Sequence, residues 1–279
     1  MKLKSPTFVA LMKKALFLSS IAMLFMITES CKSSYEQVRT SNDPERIFKA
    51  ANEYFEKEDY YRAQSLYELV IPFYRGREEA EELFYNYAYT YYNTGQYLLA
   101  AHYFGNFTKT FYNSPKKEEL AYMSAYSNYL MSPNFRLDQT PTETAIQELQ
   151  TFINTYPSSP RVDECNELID EMRTKLEKKA FESAKLYFEL GNFQSAVVCF
   201  ENLIKDFPET DRKEEIKYLT IKSSHELAKN SIYEKKRERL LEEVERCEKF
   251  LRKYPDSERS PEVRNIIAYC NNELKRFEQ

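Results

Sequence analysis

Small residues and aromatic rings recur at fixed intervals along this chain, and that recurrence leaves few folds open. Residues 180–208 carry Ala184, Gly191, Phe193, Ala196, Phe200, Leu203 and Pro208. The same frame places Ala88, Gly95, Tyr97, Ala100, Phe104 and Phe107 in residues 84–112. It places Ala51, Tyr60, Ala63, Tyr67 and Val70 in residues 47–75. It returns in residues 121–157 as Ala125 and, after an insertion, Ala145, Leu149, Phe152 and Pro157. In residues 211–255 only Leu240, Cys247, Phe250 and Pro255 remain of it. Two antiparallel helices approach closely only where small side chains meet, and rings opposite then fill the gap.

This is tetratricopeptide spacing: small residue, turn, aromatic, small residue, aromatic, large apolar residue and proline stop. Gly95 and Gly191 suit a left-handed residue ending a first helix. Tyr156-Pro157, Phe207-Pro208 and Tyr254-Pro255 end second helices, because proline cannot continue a helix. The expected architecture is an all-α solenoid of about five helix pairs plus a C-terminal capping helix. Residues 44–115 hold the first two pairs and 116–162 the third, with a long inter-helix segment, MSPNFRLDQTP, at 131–141. Thr140 or Thr142 can cap the helix that follows it. Residues 163–210 hold the fourth pair. Residues 211–279 hold a degenerate fifth pair, lengthened at 229–239, and a capping helix from Ser260-Pro261 to about Arg276. With four glycines in 279 residues, sheet folds that need frequent turn glycines are disfavoured.

The N-terminus reads as a targeting segment rather than as part of the fold. Lys13 and Lys14 precede an apolar run, Ala15–Ile27, of 13 residues. A spanning helix needs about 20, so residues 1–30 are predicted to be a signal peptide. Ser30 before Cys31 suits lipoprotein processing, with Cys31 as the lipidated residue; the alternative is an ordinary cleaved signal followed by a chance cysteine. Met12 opens a complete signal of this kind, which makes it the expected start. Residues 31–43 are predicted to be a lipidated tether. No acidic run follows Cys31, which in lipoproteins of the Bacteroidetes type favours the periplasmic face of the outer membrane over surface export. The triacyl modification, palmitate included, makes the anchoring stable, at about 0.8 kcal/mol per buried methylene.

Removing residues 1–31 leaves 36 basic and 43 acidic side chains, a balance that disfavours nucleic acid as a partner. No nucleophile elbow, zinc-protease helix, phosphate loop or dinucleotide fingerprint occurs, so no catalysis and no cofactor are expected. The histidines are His102 and His225, and no Cys/His pair has metal-ligand spacing; no metal site is expected. Cys165, Cys199, Cys247 and Cys270 fall in helical apolar patterns and read as small buried hydrophobes. Cys247–Cys270 is the pair most worth testing for a disulfide.

The segments LDQTPTETAIQELQTFINTYPSSPRVDEC (137–165) and KLYFELGNFQSAVVCFENLIKDFPET (185–210) resemble the BamD family of outer-membrane assembly lipoproteins, also called YfiO or ComL, in a Bacteroidetes-like form. The loop residues Asp138, Gln139 and Thr140 belong to the matching motif. The lipidated cysteine, the five repeats and the long third-repeat loop agree; the lengthened fifth repeat and longer C-terminal part depart from the pattern. The resemblance implies a subunit of the β-barrel assembly machinery (the BAM complex). Such a subunit binds the POTRA region of a BamA-like barrel partner through its C-terminal repeats. Its N-terminal repeats receive unfolded outer-membrane proteins for insertion into the membrane. The alternative is another periplasmic tetratricopeptide adaptor lipoprotein of the cell envelope.

In such solenoids, first-helix positions 2, 5, 9 and 12 line the inner face. At the last three of these stand Phe48, Asn52 and Phe55 in the first repeat and Tyr85, Tyr89 and Tyr92 in the second. Tyr122, Tyr126 and Tyr129 follow in the third, and Phe181, Lys185 and Phe188 in the fourth. Repeats that grip a terminal carboxylate use Lys and Asn there. Rings suit instead an extended peptide with aromatic and apolar side chains, as in a barrel protein's terminal strand. Asn52 and the tyrosines from Tyr85 to Tyr129 are therefore the candidate substrate groove; the competing expectation is that these rings only pack helix on helix.

Overall fold

A computed structural model describes residues 34–278. The signal segment and Cys31 lie outside them. The described residues contain helices and no strand, and none of the helices is long and apolar enough to cross a membrane. The molecule is an all-α tetratricopeptide array. The described residues divide into two compact units, 34–112 and 113–278.

In the first unit, α1 (Ser34–Arg39) precedes two helix pairs, α2 (Pro44–Glu56) with α3 (Tyr60–Tyr74) and α4 (Ala80–Asn93) with α5 (Tyr97–Thr110). Each of these helices packs on the next in sequence, and α2 also touches α4. Where a tether was expected, α1 is folded back: the Tyr35 ring meets Tyr54 edge-on at 5.7 Å, and the Arg62 guanidinium lies over both rings.

The second unit holds α6 (Lys117–Leu130), α7 (Thr140–Thr155), α8 (Val162–Glu189), α9 (Phe193–Asp206), α10 (Lys213–Lys229), α11 (Tyr233–Lys253) and α12 (Ser260–Leu274), ending in a 3-10 turn, Lys275–Phe277. Each packs on its successor, and α10 also touches α12. The fifth-repeat lengthening lies at the start of α11, where Tyr233 stacks on Phe277 at 4.8 Å and Lys236 pairs with Glu273 at 3.0 Å. The charged extension thus packs on the cap rather than standing wholly in solvent.

The packing follows the repeat frame. Ala51, Ala63, Ala88, Ala100, Ala125, Ala145, Ala184 and Ala196 are each at most 1% exposed. A larger side chain at any of them would drive two helices apart. Tyr67, Phe104, Phe107, Phe200 and Phe250 fill the spaces between, also shut off from solvent; each such ring contributes about 1.5–3 kcal/mol by burial.

The turns repeat as closely. Gly95 (φ 73°) and Gly191 (φ 75°) are left-handed, and the N–H groups of Gly95 and Gln96 donate to the carbonyls of Tyr92 and Tyr91. Gly191 and Asn192 bond to Phe188 and Tyr187 in the same way. The first repeat makes this turn with Glu58 at φ 59°. Second helices end on Phe111, Tyr156, Phe207 and Tyr254, whose ψ near 60° breaks the helical run. The last three precede proline, which disfavours helical geometry in the residue before it.

Candidate functional site

In the first unit the expected stripe is continuous. Tyr85, Tyr89 and Tyr92 are half-buried along one face of α4. Tyr85 and Tyr89 lie 4.8 Å apart between ring centres, and Tyr89 meets Phe104 of α5 edge-on at 5.0 Å. Tyr92 touches Tyr89 and Tyr97. Each ring therefore has one side seated on its repeat partner and another reaching solvent. Asn52 is committed elsewhere. Its amide donates to Glu82 at 3.1 Å, and its oxygen accepts from Tyr67 Oη at 2.6 Å and Asn86 at 3.4 Å. It ties α2 to α3 and α4, and burial pushes the Tyr67 phenol well above its usual range.

In the second unit Tyr122, Tyr126 and Tyr129 stack in sequence at 5.6 Å per step on α6. Their environments differ. Tyr122, expected in the groove, is 3% exposed. The Arg161 guanidinium covers its ring at 4.2 Å, and its hydroxyl donates to Glu164 at 2.8 Å. The start of α8 covers this position, so Tyr122 is a packing residue. Tyr129 donates to Glu171, one further contact with α8, at 2.8 Å; that bond raises its phenol to about 12. Tyr126 and Tyr129 remain half-buried. In the fourth repeat Phe181 is buried and Lys185 exposed.

The Asp138-Gln139-Thr140 loop is held from within. Gln139 is buried; its amide donates to the carbonyls of Asn134 (2.9 Å) and Leu137 (3.0 Å), and its oxygen accepts from Thr142 at 2.8 Å. Thr142 also bonds Ser132, so its hydroxyl closes the loop instead of capping α7. Thr140, the first residue of α7, binds Asp138. Neither threonine caps the helix as expected, since no side chain bonds the first-turn amides there. The 28-residue α8 supports the loop from outside. Lys175 donates to Ser132 at 2.8 Å, Lys179 reaches the Leu137 carbonyl, and Lys178 lies over the Phe135 ring at 4.6 Å. These lysines were not singled out in the sequence, because nothing local links them to a loop some 40 residues earlier.

Three comparisons with known proteins bear on this chain. The sequence profile of a family described as YfiO, outer membrane lipoprotein, matches residues 40–240. A protein of Aquifex aeolicus (strain VF5), assigned as outer membrane protein assembly factor BamD, is 26% identical over 264 residues, 94% of this chain and 85% of its own. Among solved structures, the P58(IPK) TPR domain aligns at 18% identity with a TM-score of 0.40. That alignment covers 85% of this chain and 58% of that structure.

Proposed function

The chain belongs to the YfiO family of outer membrane lipoproteins, and from that premise we propose that it is a scaffold subunit of the machinery that assembles β-barrel proteins in the outer membrane. The observation that carries the proposal is the family match, which runs from the first repeat into α11. The relatedness to an assembly factor over nearly the whole chain supports it. In this reading a lipid on Cys31 holds the protein at the periplasmic face. The repeats bind the POTRA region of a BamA-like barrel partner and receive unfolded barrel proteins, with no chemical step. The substrate-facing residues are Tyr85, Tyr89 and Tyr92 in the first unit and Tyr126 and Tyr129 in the second. Half-buried tyrosines offer ring area to apolar side chains and hydroxyls to peptide groups.

The test is affinity recovery of the tagged chain from membranes, read by mass spectrometry. A POTRA-containing barrel protein should be the principal partner. Recovery of cell-division or peptidoglycan proteins without a barrel subunit would move the chain to the other class of envelope adaptors. For the tyrosine faces, Tyr89→Ala with Tyr126→Ala should weaken crosslinking to a barrel protein's C-terminal peptide while helicity is kept. Unchanged crosslinking discards those faces.

A further inference from the structure

The fifth repeat departs from the frame of the other four at the positions that matter most for packing. The close-contact alanine of the second helix stands seven residues before the large apolar residue: Ala63 before Val70, Ala100 before Phe107, Ala145 before Phe152, Ala196 before Leu203. In the fifth repeat the residue seven before Phe250 is Glu243. It is a carboxylate with no solvent exposure, inside a core of Ile221, Leu240, Val263 and Ile266. The large position between (Tyr67, Phe104, Leu149, Phe200) becomes Cys247. On the first helix, the place of Tyr92 and Tyr129 is taken by His225.

These substitutions converge. His225 Nδ1 lies 2.9 Å from Glu243 Oε1, and the Cys270 thiol of α12 donates to Glu243 Oε2 at 3.1 Å. The three ligand atoms lie within 4.8 Å of one another. Cys247 is one helical turn beyond Glu243 on α11, fully buried in the same core. Neutral imidazole, thiolate and carboxylate are the donor set of tetrahedral zinc.

We propose that His225, Glu243 and Cys270 form a three-residue zinc site that clips α10, α11 and α12 together. Binding releases the proton of the Cys270 thiol to solvent, and the imidazole offers Nδ1 as a lone pair with its proton on Nε2. The ion enters past His225, whose side chain is 17% exposed while that of Glu243 is 0%. The site stands independently of the assembly role.

The test uses the full chain, purified metal-free under reducing conditions, with Zn2+ by calorimetry and Co2+ by its thiolate charge-transfer absorption. One equivalent should bind, the cobalt band should appear, and the thermal midpoint should rise. Glu243→Ala restores the residue used by the other four repeats and so keeps the fold. It and Cys270→Ser should each weaken zinc binding tenfold or more and reduce the cobalt band, with helicity intact by circular dichroism. Absence of the band in the parent chain, or equal affinity in parent and variants, overturns the proposal.

Discussion

Single residues set the turns and the spacing. Glu58 occupies the left-handed position that Gly95 and Gly191 hold in the next equivalent turns, and a side chain there costs about 1–2 kcal/mol. Glu58→Gly is expected to stabilise the first unit by about 1 kcal/mol after the larger chain entropy of glycine is subtracted. Urea unfolding checks this; an unchanged or lower midpoint refutes it. Ala88 shows the opposite constraint: fully buried between helices, it should tolerate no leucine. Ala88→Leu is expected to cost about 1–3 kcal/mol, read by the same unfolding curves. Much of this was legible in advance. The buried alanines and the two glycines advertise their roles by type and spacing. Glu58 does not, since an exposed glutamate looks alike in any backbone conformation. Tyr122 sits at the right register for the groove, but no local pattern announces that Arg161 and Glu164 of a later helix will cover it.

Whole elements are joined by tyrosine–carboxylate bonds: Tyr129 to Glu171 links the first helices of the third and fourth repeats, and Tyr218 to Glu262 links that of the fifth to the cap. The bond to Glu171, with burial, raises the Tyr129 phenol to about 12; burial, then the bond to Glu262, does the same for Tyr218. The folded phenols thus keep their protons above the ordinary value of about 10. Their stabilisation is complete below that value and is lost as the pH climbs to about 12. Replacing both by Phe should flatten the decline of the second unit's urea midpoint between pH 10 and 12. An equally steep decline in the variant rules this out. The loop of the third repeat depends on Gln139 in a different way. Gln139→Ala strands loop carbonyls and a threonine hydroxyl, at an expected cost of about 1–3 kcal/mol. Hydrogen exchange should speed up at 131–139 and remain slow in α9. The loop's existence was readable from its Pro, Asn and Asp content, whereas its fastening to α8 was not, because that contact is long-range.

At the scale of the molecule, each unit is a linear stack in which a helix meets chiefly its sequence neighbours. Stability in such stacks is a sum over neighbours, and the open end needs a cap. Removing residues 260–279 strips Val263, Ile266 and Cys270 from the core around Leu240 and Phe250. The second unit of that truncated chain should lose its cooperative transition while the first retains its helicity, as judged by calorimetry and limited proteolysis. Survival of the second unit's transition would mean that the cap is dispensable. The helical array itself could be read from repetition alone. The cluster of His225, Glu243 and Cys270 could not, since its members are 18 and 27 residues apart on three helices and resemble no ligand motif.

The length of α8 has a consequence for how such chains can diverge. Its leading half, about four turns, packs on the third repeat, where Glu164 and Glu171 hold Tyr122 and Tyr129, and the stretch from Lys175 to Lys179 at its middle fastens the third-repeat loop. Shortening the loop alone would leave those lysines without their loop partners, and removing the middle of the helix alone would leave the loop without a wall. The two segments are therefore a single heritable unit, to be gained or lost in one step.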